Sequence, residues 1–125
     1  TIRKDSKEMD DCIFCKLANG QIPTDMVYEN DLVACFKDNN PQTRTHCLIV
    51  PKAHYRDILD MGDKADWAKL GPALEECINH VTTKLGIKDQ GFRLINNCGE
   101  GAGQSVFHVH FHLMSDPEKL KEKLV

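Results

Sequence analysis

Three of the six histidines, His108, His110 and His112, stand at alternate positions, with Val109 and Phe111 between them and Phe107 and Leu113 on either side. Strict alternation of this kind predicts a β-strand. Successive strand side chains point to opposite faces, so the three imidazoles share one face and the apolar set packs on the other. A purely structural role explains them poorly, because burying three imidazoles together demands partners for all their ring nitrogens. A metal site is a rival reading. Residues two apart on a strand lie roughly 6.6 Å apart, so His108 with His110, or His110 with His112, suits one ion. His108 and His112, about 13 Å apart along a strand, do not close comfortably on the same ion. At least one histidine is left for other chemistry.

That chemistry is nucleophilic. A neutral imidazole attacks well near neutral pH when its other nitrogen keeps its proton and is held by an acceptor. A central histidine with one on each side has donors for a phosphate-like transition state. Upstream, Gly99-Glu100-Gly101-Ala102-Gly103 is a loop whose backbone N–H groups can approach an anion, followed by Gln104 and the Ser105 hydroxyl. The reaction that fits is displacement at phosphorus through a covalent phospho-histidine type intermediate. Elsewhere, Cys12 and Cys15 form a C-x-x-C pair. By itself the pair suits a redox couple, half of a zinc site or two buried thiols. A thioredoxin-like site expects a strand before it, and none precedes it here; zinc needs two further ligands, for which histidines are the obvious candidates.

His108-Val109-His110-Phe111-His112-Leu113-Met114 resembles the His-φ-His-φ-His-φ-φ signature of the histidine triad (HIT) superfamily, φ being apolar, and Gly103-Gln104-Ser105-Val106-Phe107 resembles its Hint branch. The likeness runs from about Asp11 to Met114. It implies that His110 is the nucleophile that takes the nucleotidyl group, that His112 hydrogen-bonds near the scissile bond, and that His108 is a supporting histidine or a metal ligand. It implies that Asn97, Gln104 and Ser105, with Gly103 beside them, bind phosphate oxygens or the leaving group. Asp38 would accept both ribose hydroxyls, a task for which a carboxylate offers two acceptors to two donors. His46 would support the triad. Some relatives carry structural zinc, and the matching ligands here are Cys12, Cys15, His54 and His108. No metal is expected to take part in catalysis. The resemblance also implies a homodimer, paired through a long helix and an adjacent strand. The expected activity is hydrolysis of the P–N bond of a purine nucleoside monophosphate amine. The alternatives are a dinucleoside polyphosphate hydrolase and a purine-nucleotide-binding regulatory protein with little turnover. Two departures bear on substrate preference: Cys98 stands where an acidic residue is common, and the tail after Met114 lacks the tryptophan of the best-known members.

The elements that must position these residues are readable along the 125-residue chain. Residues 1–10 are expected to be a flexible arm, and 11–125 one domain. Asp11 is expected to cap a helix over Cys12–Ala18. Strands are expected at Met26–Glu29 and Leu32–Lys37, joined by a two-residue Asn30-Asp31 turn. A central strand is expected at His46–Val50, ended by Pro51. A helix from Lys64 to Leu85, capped by Asp63, would carry the stripe Trp67, Leu70, Leu74, Cys77, Ile78, Val81 and Leu85, and Pro72 should kink or split it. His80 lies off the stripe and should be solvated. A strand at Phe92–Asn96 and a charged helix at Pro117–Leu124 complete the order. The predicted fold is α+β: a five-stranded, largely antiparallel sheet with one long helix and short terminal helices.

Composition sets the outer limits. Apolar and charged residues make up 41% and 28% of the chain, ordinary for a globular protein. The net charge of −3 argues against broad nucleic-acid binding through a basic surface. No apolar run approaches the roughly 20 residues that span a bilayer, so no membrane partner is expected. Cys35, Cys47 and Cys77 sit inside apolar patterns and read as buried free thiols of a reducing compartment, the cytoplasm and by extension the nucleus. The chain begins at Thr1, and the reading allows for a longer native N-terminus.

Overall fold

The computed structural model describes residues 11–122; the expected arm over residues 1–10 lies outside them. Helix α1 spans Ile13–Ala18, strands β1 Met26–Glu29, β2 Val33–Lys37 and β3 Thr45–Pro51, helices α2 Ile58–Lys64 and α3 Trp67–Lys84, and strands β4 Arg93–Ile95 and β5 Phe111–Ser115. The five strands form one sheet in the order β1-β2-β3-β5-β4 with every pair antiparallel. The α+β fold is as expected.

The sheet is covered on both faces, which is why β2 and β3 read as continuous apolar runs and not as alternation. On one face Val33, Cys35, Cys47, Ile49, Val109 and Leu113 pack against Leu70, Cys77 and Val81 of α3 and Met61 of α2. On the other, Ala34, Phe36, Leu48 and Val50 pack against Phe14 and Ala18 of α1. The thiols of Cys35, Cys47 and Cys77 are buried and free, as expected. No helix among the described residues is long and apolar enough to cross a membrane.

Several local expectations are corrected. Cys12, not Asp11, caps α1, its sulfur accepting from Cys15 N–H at 3.3 Å. The first hairpin loop holds Asn30, Asp31 and Leu32 in place of two residues, because the Asn30 side-chain oxygen accepts from the N–H groups of Leu32 and Val33 and closes an Asx turn. The expected long helix is α3, which starts at Trp67 and is capped by Asp66 and not by Asp63; before it stands a helix the sequence reading did not predict, α2, capped by Asp57, and the chain turns extended at Ala65 and Asp66 between the two. Pro72 falls inside α3 without ending it. Trp67 leaves the apolar stripe and is 45% exposed. His80 is exposed, as expected, and its ring stacks on Tyr28. The helix expected from Pro117 is, over 117–122, a turn closed by Leu120 N–H on the Asp116 carbonyl, with the Asp116 carboxylate accepting from Arg44, Glu118 and Lys119 N–H. So short and highly charged a segment has no apolar stripe to hold a helix in place.

The correction that matters most concerns the triad. Ladder pairing begins only at Phe111, so His108 and His110 precede β5 and do not lie in it. Continuing the β3–β5 register would set Val109 opposite Pro51, which has no N–H to give. Val109 N–H goes instead to the Tyr55 carbonyl at 2.7 Å. The alternation survives all the same: Val109 and Leu113 face the α3 core, and His108 and His110 face Phe14 of α1.

Candidate active site and metal centre

Ring hydrogen bonds assign a job to each histidine, because a backbone carbonyl can only accept and a backbone N–H can only donate. His108 is fully buried, and its Nε2 lies 2.8 Å from the Pro51 carbonyl. The proton is therefore on Nε2, and Nδ1 presents a lone pair to Cys12 Sγ at 3.2 Å and Cys15 Sγ at 3.3 Å. His54 Nδ1 is 3.3 Å from Cys15 Sγ. The ligand atoms of Cys12, Cys15, His54 and His108 all lie within 4.8 Å of one another. Four donors around one zinc ion at ordinary bond lengths sit about 3.3–3.8 Å apart, so this set fits a tetrahedral site. Burial, with His54 and His110 nearby, pushes the His108 imidazole down to about 4, against the support of its bond to Pro51, and so keeps it in the neutral form a metal needs. Burial and the adjoining Cys12 push the Cys15 thiol up to about 12. The second thiol of the pair thus resists ionising unless a cation joins it.

His110 is 8% exposed, and its Nδ1 lies 2.8 Å from the His108 carbonyl. Nδ1 carries the proton, and in the neutral ring the Nε2 lone pair is left for attack. Phe14 packs edge-on against this ring at 4.9 Å between centroids. His112 belongs to a different chain of bonds. The Gln42 N–H donates to His46 Nδ1 at 3.0 Å, which places the His46 proton on Nε2. That Nε2 is 2.9 Å from His112 Nδ1 and 3.4 Å from Asp38 Oδ2. His112 Nδ1 is then the acceptor, and His112 Nε2 carries a proton, a donor on a ring 5.1 Å from that of His110. Burial, with neighbouring imidazoles in the case of His112, lowers the pKa of both His46 and His112, while Asp38 works against the shift.

His110 and His112 open onto a cleft of about 260 Å³. Asp38, Asn39, Lys37, Thr24 and Ser105 supply its polar wall, and Phe14, Leu17, Phe36, Leu48 and Val106 its apolar one. An aromatic and aliphatic slot beside a carboxylate and two imidazoles suits a flat base, a diol and a phosphorus centre. Asp38 Oδ1 accepts from Asn40 N–H at 2.8 Å, which pins the carboxylate in the loop after β2.

Some expected residues have other work. Gln104 is buried and its amide is spent on the loop: it accepts from Gly99 N–H and donates to the Arg56 and Val106 carbonyls. These bonds shape the loop. Asn97 and Gly103 do not line the cleft. Gly103 adopts a left-handed conformation, φ 85°, where the loop turns toward Ser105. His108 faces the thiols and is not a cleft residue.

Other cleft residues were not singled out from the sequence. Phe14, Leu17, Phe36 and Leu48 line the cleft, and no residue type distinguishes a core side chain from a cleft wall. Asn39 stands beside Asp38 and was within reach of a loop-based argument. Pro51 and Gln42 act through backbone atoms, which leave no signal in residue type.

The HIT domain family matches residues 19–119. The chain is 40% identical over 109 residues to HitA of Neisseria gonorrhoeae, covering 87% of this chain and 99% of that protein. A histidine triad protein from Clostridium difficile superposes with a TM-score of 0.78 at 43% identity, covering 92% of this chain and 94% of that one. A HIT family hydrolase from Legionella pneumophila does so with a TM-score of 0.77 at 33% identity, covering 92% and 96%. A matched family spanning most of the sequence, relatives of nearly the same length and a shared fold lead to one conclusion: this chain belongs to the HIT domain family.

Proposed function

We propose that the protein is a nucleoside phosphoramidate hydrolase that cleaves the P–N bond of a purine nucleoside monophosphate amine. The observation that carries the reading is the His110 ring, its Nδ1–H held by the His108 carbonyl and its face on a cleft shared with His112, Asp38 and Ser105. The Nε2 lone pair attacks phosphorus, a nucleotidyl-His110 bond forms, the P–N bond breaks, and the amine leaves with an added proton. Water then attacks the same phosphorus and releases the nucleoside monophosphate and neutral His110. His112 donates to a phosphate oxygen, and with Ser105 it is the nearest source of the leaving group's proton. Asp38 takes the ribose hydroxyls. The loop at 99–105 carries Glu100 and no cation, which suits an amine better than a polyphosphate leaving group. Turnover of a fluorogenic AMP-amine tests the reading; binding of AMP without turnover would leave a regulatory nucleotide-binding protein in its place.

Two further features belong to this proposal. Zinc at Cys12, Cys15, His54 and His108 would tie α1 and the loop after β3 to the triad segment, a structural role. Because α1 also carries Phe14, that tie would set one wall of the cleft. A homodimer is supported by β4, an edge strand that presents Leu94 and the adjacent Phe92 to solvent. Sedimentation should then show a species near twice 14.1 kDa.

A further inference from the structure

The segment that carries the nucleophile sits outside the sheet ladder, yet its orientation decides whether Nε2 points at phosphorus. Ladder pairing on the β4 side stops at Ile95, opposite His112. Asn96 is the next residue, and its side-chain amide takes over where the ladder ends: Asn96 Nδ2 donates to the His110 carbonyl at 3.0 Å. Three other bonds fix the same short segment, namely Val109 N–H on the Tyr55 carbonyl, His108 Nε2–H on the Pro51 carbonyl and His110 Nδ1–H on the His108 carbonyl. Of these four, only the Asn96 bond grips the backbone of His110 itself. It is also the only one given by a side chain from β4's end, on the far side of β5 from Pro51.

We propose that Asn96 is a positioning residue for catalysis. Its amide holds the His110 peptide so that the imidazole keeps its bond to the His108 carbonyl and presents Nε2 in line with the bond to be broken. Asn96 does not line the cleft, so it acts on the nucleophile and not on the nucleotide. Losing a grip of this kind misaligns the attack by a fraction of an ångström to an ångström, a displacement that costs on the order of 10–100-fold in rate.

The inference rests on the proposed hydrolase reading, and its test begins with turnover of an AMP-amine by the unaltered protein; absence of turnover defeats that parent reading. Given an active protein, Asn96→Ala should lower kcat about 10–100-fold with KM and AMP affinity within about 2-fold. Asn96→Asp keeps the shape if the alanine variant is poorly folded, and supplies the sharper readout. As a carboxylate it has no proton to give the His110 carbonyl; as a carboxylic acid it does. Its activity relative to the unaltered protein should rise as pH falls through the new carboxyl's ionisation and climb above that of Asn96→Ala. Relief of the negative charge alone would bring it only level with the alanine variant. An active Asn96→Ala with unchanged kcat overturns the proposal. So does a loss shared equally by KM, or an Asn96→Asp variant that never exceeds Asn96→Ala at acid pH.

Discussion

Two histidine clusters lie side by side in this protein, and each meets the simplest distance test for a metal site. The ligand atoms of Cys12, Cys15, His54 and His108 fall within 4.8 Å of one another, and so do those of Asp38, His46 and His112. The other nitrogen of each ring separates them. His108 gives its Nε2–H to the Pro51 carbonyl and so turns a lone pair toward two thiols. His46 spends its Nδ1 lone pair on the Gln42 N–H and so turns a proton toward His112 and Asp38. The first cluster presents a lone pair and two thiols, a donor set that suits a cation. The second presents a proton between two imidazoles and a carboxylate. Proximity of donors is therefore not enough to identify a metal centre; the partner of the remote nitrogen decides.

The comparison assigns His110 to neither cluster, and removing it should produce the largest effect. His110→Ala should lower kcat by at least about 10³-fold while AMP still binds, read by steady-state kinetics and equilibrium dialysis. Retention of most of the turnover would shift the nucleophile to another residue. Substrate choice comes next. With no cation in the 99–105 loop, kcat/KM for adenosine phosphoramidates should exceed that for diadenosine polyphosphates by at least about 10²-fold, and Ser105→Ala should slow P–N cleavage more than P–O cleavage. Equal rates would favour a polyphosphate hydrolase.

The metal assignment sharpens the contrast between the clusters. Purified protein should carry close to one zinc per chain, not two. Cys12→Ser with Cys15→Ser should abolish it, and His46→Ala should leave it in place. Chelation should lower Tm by at least about 10 °C, since binding energy at such a site is also folding energy. Zinc content that follows His46 and ignores the cysteines would reverse the assignment of the two clusters.

The smallest effect is a pH dependence. His108 ionises near pH 4 in the metal-free fold, below the ordinary 6.5 of an unfolded chain. Above about pH 6.5 neither state binds the proton and there is no penalty. As pH falls below that value the unfolded chain is protonated first, so stability declines, by about 3 kcal/mol in all, and the decline levels off once the folded imidazole also protonates near pH 4. Denaturant titrations of chelated protein between pH 7 and pH 4 should show this slope, and His108→Asn should flatten it.

The fold was largely legible because its signals are local. Period-two alternation around His110 placed the imidazoles opposite Val109 and Leu113 even though ladder bonds are missing before Phe111, since an extended chain alternates whether or not it is paired, but Phe107, expected to pack with them, is exposed. A continuous apolar run marked β3 as central. Helix α2 and the start of α3 were not legible, because Asp57, Asp63 and Asp66 are all suitable caps by residue type and only the backbone shows which of them caps a helix. The cleft was legible where side chains line it, as those of Asp38, His110 and His112 do. It was not legible where backbone atoms decide, as at Pro51 and Gln42, or where a side chain faces inward, as Gln104 does to bind its own loop.

The central claim is that His110 carries the nucleotidyl group while its neighbours serve a metal centre and a proton relay. The direct measurement is to quench the protein during turnover of an AMP-amine at alkaline pH, digest it, and locate the adenylyl group by mass spectrometry. The account predicts a single adduct on His110 that forms and decays at rates matching turnover. An adduct on His108 or His112, or turnover with no adduct at any histidine, would contradict it.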